Sequence, residues 1–264
     1  MTKVLVLQEI KTKMYFDDES LERYSRQLIM PEISESGQKK LLSSKVLIIG
    51  AGGLGSPVIS ILAGAGIGNI TIIDYDKVEL SNLNRQFIYN SKNIGFSKAS
   101  SSEFFIKQLN PKINITNIYN KVENINFKEH IKSNDIVIDC SDNFKTRYLV
   151  NDICQNFKKN LIFGSAVKFD GQFTSFVPEN NLSPCLRCIF PEGKTNHDQR
   201  RSCSQSGIIG AITMIVGSLQ ALEAIKMIVQ SGELSFGRLL LFDGYQLSFN
   251  EIKVNKNLNC SCNF

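Results

Sequence analysis

The chain has 264 residues, 42% of them hydrophobic and 21% charged, with no Trp and a formal charge of +5. That length and apolar content suffice to bury a core, which excludes a disordered or peptide-like protein and fits one large α/β domain or two small ones. The surplus positive charge points to an anionic ligand and is too mild to argue for nucleic acid or a membrane surface.

Residues 1–20 show no sustained hydrophobic period and read as a leader, while Leu21 to Leu28 carries Arg23, Arg26 and apolar residues at helical spacing. The opening MTKVLVLQEIKTK has only a short apolar run, soon followed by Asp17, Asp18 and Glu19, which does not fit a secretory signal. Lys45-Val-Leu-Ile-Ile is a continuous apolar run that predicts a buried parallel strand, and Leu54 to Ala65 predicts a helix packed on it. Strands follow at Ile70 to Ile73, Ile113 to Ile118, Ile136 to Asp139 and Leu161 to Ala166, with helices at Lys98 to Leu109, Phe127 to Ile131 and Lys145 to Phe157. This alternation predicts a Rossmann-like, doubly wound, mostly parallel sheet with helices on both faces.

After Gly171 the pattern changes. Gln172 to Val177 reads as a strand, and Pro178 to Gly207 is long, polar and rich in Pro, Gly and Cys, which suggests a functional or metal-anchored loop. Ile208 to Val229 predicts a helix, and Arg238 to Phe242 and Gln246 to Val254 predict two strands around the turn Asp243-Gly244. These strands complete the sheet or extend it in antiparallel fashion. The longest apolar stretch, Ile208 to Leu219, is too short and mixed for a bilayer span of about 20 residues.

Gly50-Ala-Gly52-Gly53-Leu-Gly55 satisfies G-x-G-x-x-G between a strand and a helix, where glycines let a phosphate approach the helix N-terminus. Asp74, ending the next strand, stands where a carboxylate holds ribose hydroxyls. On its own this pattern equally suits an NAD-dependent oxidoreductase. Ser81-Asn82-Leu-Asn-Arg85-Gln86 and Lys98 then place cations and amides near the expected phosphates, which phosphoryl or nucleotidyl transfer needs and hydride transfer does not. Asp142, in Asp139-Cys-Ser-Asp142-Asn143, follows another strand and suits either a magnesium ion or the cap of the next helix.

The seven cysteines are Cys140, Cys154, Cys185, Cys188, Cys203, Cys260 and Cys262. The expected compartment is reducing and cytoplasmic, so the two close pairs read as a metal site rather than as disulfides. Cys185-x-x-Cys188 with Cys260 and Cys262 about 70 residues later suits a structural Cys₄ zinc site that ties the long loop to the chain's end. Cys203 lies beside Arg200 and Arg201 before a helix, a setting that favours a thiolate and makes it a candidate nucleophile. Cys140 and Cys154 read as core residues.

From about Arg23 onward the sequence resembles the MoeB and ThiF family, bacterial activators of ubiquitin-like sulfur carriers related to ubiquitin-activating enzymes. The resemblance rests on Arg23-Tyr-Ser-Arg26-Gln, the glycine turn, Asp74-Tyr-Asp76, Ser81 to Gln86, Lys98, Asp139 to Asn143, Cys185-Leu-Arg-Cys188, Cys203 and Gly217-Ser-Leu-Gln-Ala-Leu-Glu-Ala-Ile-Lys226. It implies ATP rather than NAD, and adenylylation of a carrier's C-terminal glycine carboxylate with loss of pyrophosphate. By resemblance Gly50, Gly52, Gly53, Gly55, Asp74, Asp76, Ser81, Asn82, Arg85, Gln86, Lys98, Asp142 and Asn143 hold the nucleotide, and Asp142 carries magnesium. Arg26, Arg85, Lys98 and Asp142 promote the reaction, with Arg26 reaching into a neighbouring subunit's site, so a homodimer is implied.

The implied partner is a carrier protein ending in Gly-Gly, with a sulfurtransferase as a further candidate. The implied architecture is a leader at 1–20 and an adenylating domain at 21–264, with its nucleotide-binding part at about 45–170 and its zinc-tied, carrier-binding part at about 171–264. Where the family has C-x-x-C, this chain has Cys260-Ser-Cys262. Thr146-Arg-Tyr-Leu-Val-Asn-Asp152 and Cys185-Leu-Arg-Cys-Ile-Phe-Pro191 resemble the MoeB branch more than the ThiF branch, which favours a molybdopterin carrier over a thiamine-thiazole carrier. An ionised glycine carboxylate needs no general base, so the presence of only His130 and His197 is consistent with this chemistry. A third class, a scaffold that binds a carrier tail without turning over ATP, is disfavoured by the joint presence of Arg26, Arg85, Lys98 and Asp142.

Overall fold

In the computed structural model, residues 16–192 and 206–260 are described. Eight strands form one sheet in the order β3-β2-β1-β4-β5-β6-β7-β8. They are β1 (Lys45–Ile49), β2 (Asn69–Ile73), β3 (Asn114–Ile118), β4 (Ile136–Asp139), β5 (Asn160–Val167), β6 (Asp170–Phe176), β7 (Arg238–Asp243) and β8 (Ser248–Lys253). The strands from β3 to β5 pair in parallel, whereas β6, β7 and β8 are added antiparallel, so the second half extends the sheet.

The run Lys45–Ile49 is apolar throughout because both faces of β1 are covered. Val46 and Ile48 face one core together with Val58, Ile59 and Leu62 of α4 (Gly55–Ala65), Ile106 of α5 (Lys98–Leu109), and Ile212 and Val216 of α9 (Gly210–Val229). Leu47 and Ile49 face the other, with Phe127 and Ile131 of α6 (Phe127–Ser133), Val150 and Ile153 of α7 (Phe144–Asn156) and Leu186 of α8 (Leu186–Ile189). The period-two alternation of a strand assigns each residue to its layer.

The predicted helix at Leu21 to Leu28 is two short helices, α1 (Asp18–Arg23) and α2 (Ser25–Leu28). Tyr24 separates them and is buried, with its Oη accepting from Asn110 Nδ2 at 2.9 Å. A further helix, α3 (Ser34–Ser43), has no counterpart in the sequence reading. Its segment is polar, and it buries only Gly37, Gln38 and Leu41. The apolar helix α9 ends at Val229, as predicted, and begins at Gly210; its 20 residues, more than the apolar stretch Ile208 to Leu219 alone, are long and apolar enough to cross a membrane by length and composition. Here it lies on β5, β6 and α4, and its buried Glu223 is satisfied by Ser175, Ser235 and Lys226.

The chain moves outward from β1 to β2 and β3, then returns to lay β4 on the other side of β1. At such a switch point the loops leaving adjacent strands part and open a crevice at the strands' C-terminal edge.

Candidate active site

A cavity of about 330 Å³ occupies that crevice. Its floor is the turn from β1 to α4. Gly50 has φ +91, and a Cβ there would come within 2.8 Å of the Cys140 carbonyl, so the position requires glycine. A Cβ on Gly55 would lie 2.1 Å from the Gly50 carbonyl, which makes Gly55 the residue that lets the turn close on itself. Gly50, Gly52 and Gly53 line the cavity, and Gly55 supports it from behind.

Asp74 is buried at the end of β2 and ties the turn to the sheet. Its Oδ2 accepts from the Ala51 amide at 2.7 Å and its Oδ1 from the Asp76 amide at 2.7 Å. Burial pushes its carboxyl above the usual range, opposed by the Lys98 charge and by these two amides. Lys98 begins α5, is buried, and donates to Asp76 at 2.9 Å. Tyr89 binds the Ala51 and Lys98 carbonyls at 2.9 and 3.2 Å, joining the glycine turn to the start of α5.

Ser81, Asn82, Arg85 and Gln86 form the adjoining wall. Asn82 is partly engaged in its own turn, accepting from the Glu79 amide at 3.0 Å. Arg85 is half-buried and donates to the Ser81 carbonyl at 2.8 Å and to Asn84 Oδ1 at 3.0 Å. Gln86 is buried beside Gly52, with no partner for its Oε1 among the described residues. An orphan amide oxygen beside a glycine turn fits a wall that a polar ligand completes.

The loop after β4 contributes Ser141, Asp142 and Asn143. Asn143 caps α7 by accepting from the Thr146 amide at 2.9 Å. The cap role thus falls on Asn143, and the exposed Asp142 carboxylate is not consumed by it. A carboxylate oxygen on the cavity wall, beside the expected phosphates, suits a hard divalent cation.

Arg26 is exposed on α2 and is absent from the lining. Gln27, its neighbour, donates to the Ala65 carbonyl at the C-terminal end of α4 at 3.0 Å, so Arg26 sits at the edge of the sheet opposite the cavity. The 11 residues of α4 alone hold these levels about 16 Å apart. Within one chain Arg26 does not complete this site.

Three of the predicted metal ligands converge. Cys185 Sγ lies 3.8 Å from Cys188 Sγ and 3.6 Å from Cys260 Sγ, and all three sulfurs fall within 4.8 Å of one another. Thiolates at about 2.3 Å from a tetrahedral metal stand about 3.8 Å apart, so this spacing fits a metal. The Asn257 amide donates to Cys188 Sγ at 3.4 Å. The cluster rests on α7: Arg187 grips Asp152 with two bonds of 2.8 Å and Leu186 donates its amide to Asn151 Oδ1 at 2.9 Å. Cys203 and Cys262 lie outside the described residues. Burial pushes the thiols of Cys140 and Cys154 well up, in keeping with core roles.

A ThiF family model matches residues 24–263. The chain belongs to the ThiF family. It is 45% identical over 249 residues to the adenylyltransferase and sulfurtransferase MOCS3 of Drosophila grimshawi, covering 92% of this chain and 54% of that protein. It is 40% identical over 244 residues to the SAMP-activating enzyme E1 of Haloferax volcanii, covering 92% of this chain and 89% of that one. The structure of E. coli MccB with ATP superposes with a TM-score of 0.77 at 25% identity, over 91% of this chain and 73% of that one. The chain spans about half the length of the MOCS3 relatives it matches.

Among the lining residues that sequence reasoning missed in this ThiF-family site, Arg147 is the charged one that is buried. It lines the cavity yet is 4% exposed. A signal was present: a basic residue four positions into a helix faces the positive end of the dipole, which calls for a specific partner. Thr213 and Ile208, contributed by α9 and the residues just before it, also reach the wall.

Proposed function

We propose that the chain catalyses ATP-dependent adenylylation of the C-terminal glycine carboxylate of a ubiquitin-like sulfur carrier, releasing pyrophosphate. What carries this reading is one cavity that unites the glycine turn, the buried Asp74 and the cations Arg85 and Lys98 in a chain of the ThiF family. Asp74 and Asp76 hold the ribose, the glycine turn receives the phosphates, and Ser81, Asn82, Arg85, Gln86, Lys98 and Asn143 line their path. Lys98 exchanges or shares its Asp76 contact when the phosphate chain enters.

A carboxylate attacking an α-phosphate meets like-charge repulsion; Arg85 and Lys98 offset it and stabilise the departing pyrophosphate. Asp142 would hold magnesium, which when bound neutralises phosphate charge. Arg26 completes the site from a second subunit, so the working form is a homodimer. Residues at about 45–170 serve the nucleotide and those at about 171–264 serve the carrier. Cys185, Cys188, Cys260 and Cys262 hold a structural zinc, and Cys203 is a candidate nucleophile for later sulfur transfer.

The carrier is of the molybdopterin type, and a sulfurtransferase is the expected further partner; the MOCS3 relative has that activity in its name. The named relatives are adenylyltransferases and E1 enzymes, which leaves the oxidoreductase alternative without support. Pyrophosphate exchange with two Gly-Gly-terminated carriers, one from molybdopterin and one from thiazole synthesis, tests the proposal. Exchange with the first is expected, exchange with the second alone reassigns the pathway, and exchange with neither refutes adenylylation.

A further inference from the structure

Arg147 is a buried cation to which the reaction as written assigns no task. Its Cα lies four residues into α7, and because a helical Cβ tilts toward the N-terminus, its side chain runs back over the turn that precedes the helix. There Nη2 donates to the Ser141 carbonyl at 2.9 Å and to the Gly164 carbonyl of β5 at 3.4 Å, while Nη1 meets Ser165 Oγ at 3.4 Å. The guanidinium lies against Phe144 and Phe163, 5.3 and 5.0 Å from their ring centres.

This placement is costly. The group is out of water, near the positive end of a helix dipole, and its Nε has no partner among the described residues. Its hydrogen bonds link the end of β4 to β5 across the root of the cavity. The Ser141 carbonyl it holds belongs to the residue before Asp142, and the Ser141 amide is held by Asp139 Oδ1 at 2.9 Å. Both sides of that peptide segment are therefore fixed, which sets the direction in which Asp142 leaves the strand. A planar fork can hold two carbonyls at once, and a lysine ammonium on a flexible stem cannot reproduce that geometry.

We propose that Arg147 is a positioning residue that aims Asp142 at the cation of the bound nucleotide. The inference rests on the adenylylation reading and deepens it. Manganese binding to the protein saturated with a non-hydrolysable ATP analogue, followed by electron paramagnetic resonance, measures the cation site without turnover. The variants are Arg147→Lys, Asp142→Asn and the double variant.

Arg147→Lys should weaken manganese binding about tenfold while the analogue's own affinity without metal changes less than about twofold. In the Asp142→Asn background the same change should cost nothing further. Full additivity, or parental manganese affinity in Arg147→Lys, overturns the proposal. If circular dichroism shows that Arg147→Lys does not fold, Ser165→Ala, which removes only the Nη1 acceptor, enters the same cycle under the same criteria. Failure of the parent protein to bind the analogue at all refutes the adenylylation reading itself, a result distinct from an additive cycle.

Discussion

Gly55→Ala and Gly52→Ala make a matched pair, because both alter the same turn but only one has room. At Gly55 the new Cβ would stand 2.1 Å from the Gly50 carbonyl oxygen and 3.0 Å from its carbon. A relaxed carbon-to-oxygen contact is about 3.3 Å, so the turn must open by about 1.2 Å. The obstructing atoms are backbone, and the Cys140 carbonyl closes the space in which a Cβ on Gly50 would stand, so no flexible side chain can swing aside to make room. The displacement strains the 2.7 Å bond from the Ala51 amide to Asp74. Overpacking of this kind costs about 1–3 kcal/mol of stability, and misplacing bound phosphates by about 1 Å costs about 100-fold in rate. At Gly52 the new methyl meets, among the described residues, only Gln86 Nε2 at 3.8 Å, an ordinary contact, but Gly52 lines the cavity in which the proposed nucleotide's phosphates would bind. Gly55→Ala should therefore lower the thermal midpoint and weaken ATP binding, whereas Gly52→Ala should weaken ATP binding at an unchanged midpoint. Calorimetric ATP titration with thermal melts of both variants decides it. Parental ATP affinity in Gly52→Ala refutes the placement of the phosphates on this turn.

Mixing Arg26→Ala with Arg85→Ala, each inactive alone, should restore about a quarter of parental pyrophosphate exchange, because half the dimers then carry one intact site; no recovery in proven mixed dimers removes Arg26 from the neighbouring site. Cys188→Ala should lower bound zinc well below that of the parent protein and lower the melting temperature; full metal content measured by plasma emission removes Cys188 from the ligand set. Burial pushes the Asp139 carboxyl above its ordinary 3.8, with Arg147 opposing. The folded protein therefore retains this proton at pH values where the unfolded chain has lost it, so ionisation reduces stability as pH rises through that interval. Asp139→Asn should raise the melting temperature at neutral pH and lose that gain below about pH 4; an equal or lower midpoint at neutral pH refutes the assignment.

The parts of this site legible in the sequence are those whose chemistry is local. The glycine turn declares itself because Gly50 needs a positive φ and Gly55 must lie flat against its neighbour, and both demands are met within six residues. Asp74 follows from its place at the end of an apolar strand, and Lys98 from its place at the start of a periodic helix. The same logic recovered the strands within a few residues at their ends, since runs such as Lys45–Ile49 are apolar only when both faces are covered.

What stayed hidden depends on partners far along the chain. Nothing within α3 explains its formation: Gln38 is wholly buried because its amide reaches the Ala65 carbonyl, 27 residues away, at 3.0 Å. Gln220 lies in an apolar helix, where it breaks the pattern, and its role appears only when its Nε2 meets the Asp139 carbonyl at 2.8 Å. Arg147 belongs to the same class, since Gly164 and Ser165 come from the next strand. These three anomalies share a physical origin. Each is a polar group whose removal from water is offset by a backbone carbonyl that secondary-structure pairing leaves over at the end of a strand or helix. Two of those carbonyls, on Asp139 and Ser141, lie at the end of β4, the strand whose loop carries Asp142. Gln220, a polar residue that violates the apolar period of a core helix, is therefore the sequence feature that points to the rear supports of this site, while the glycine turn and its cations mark only the front.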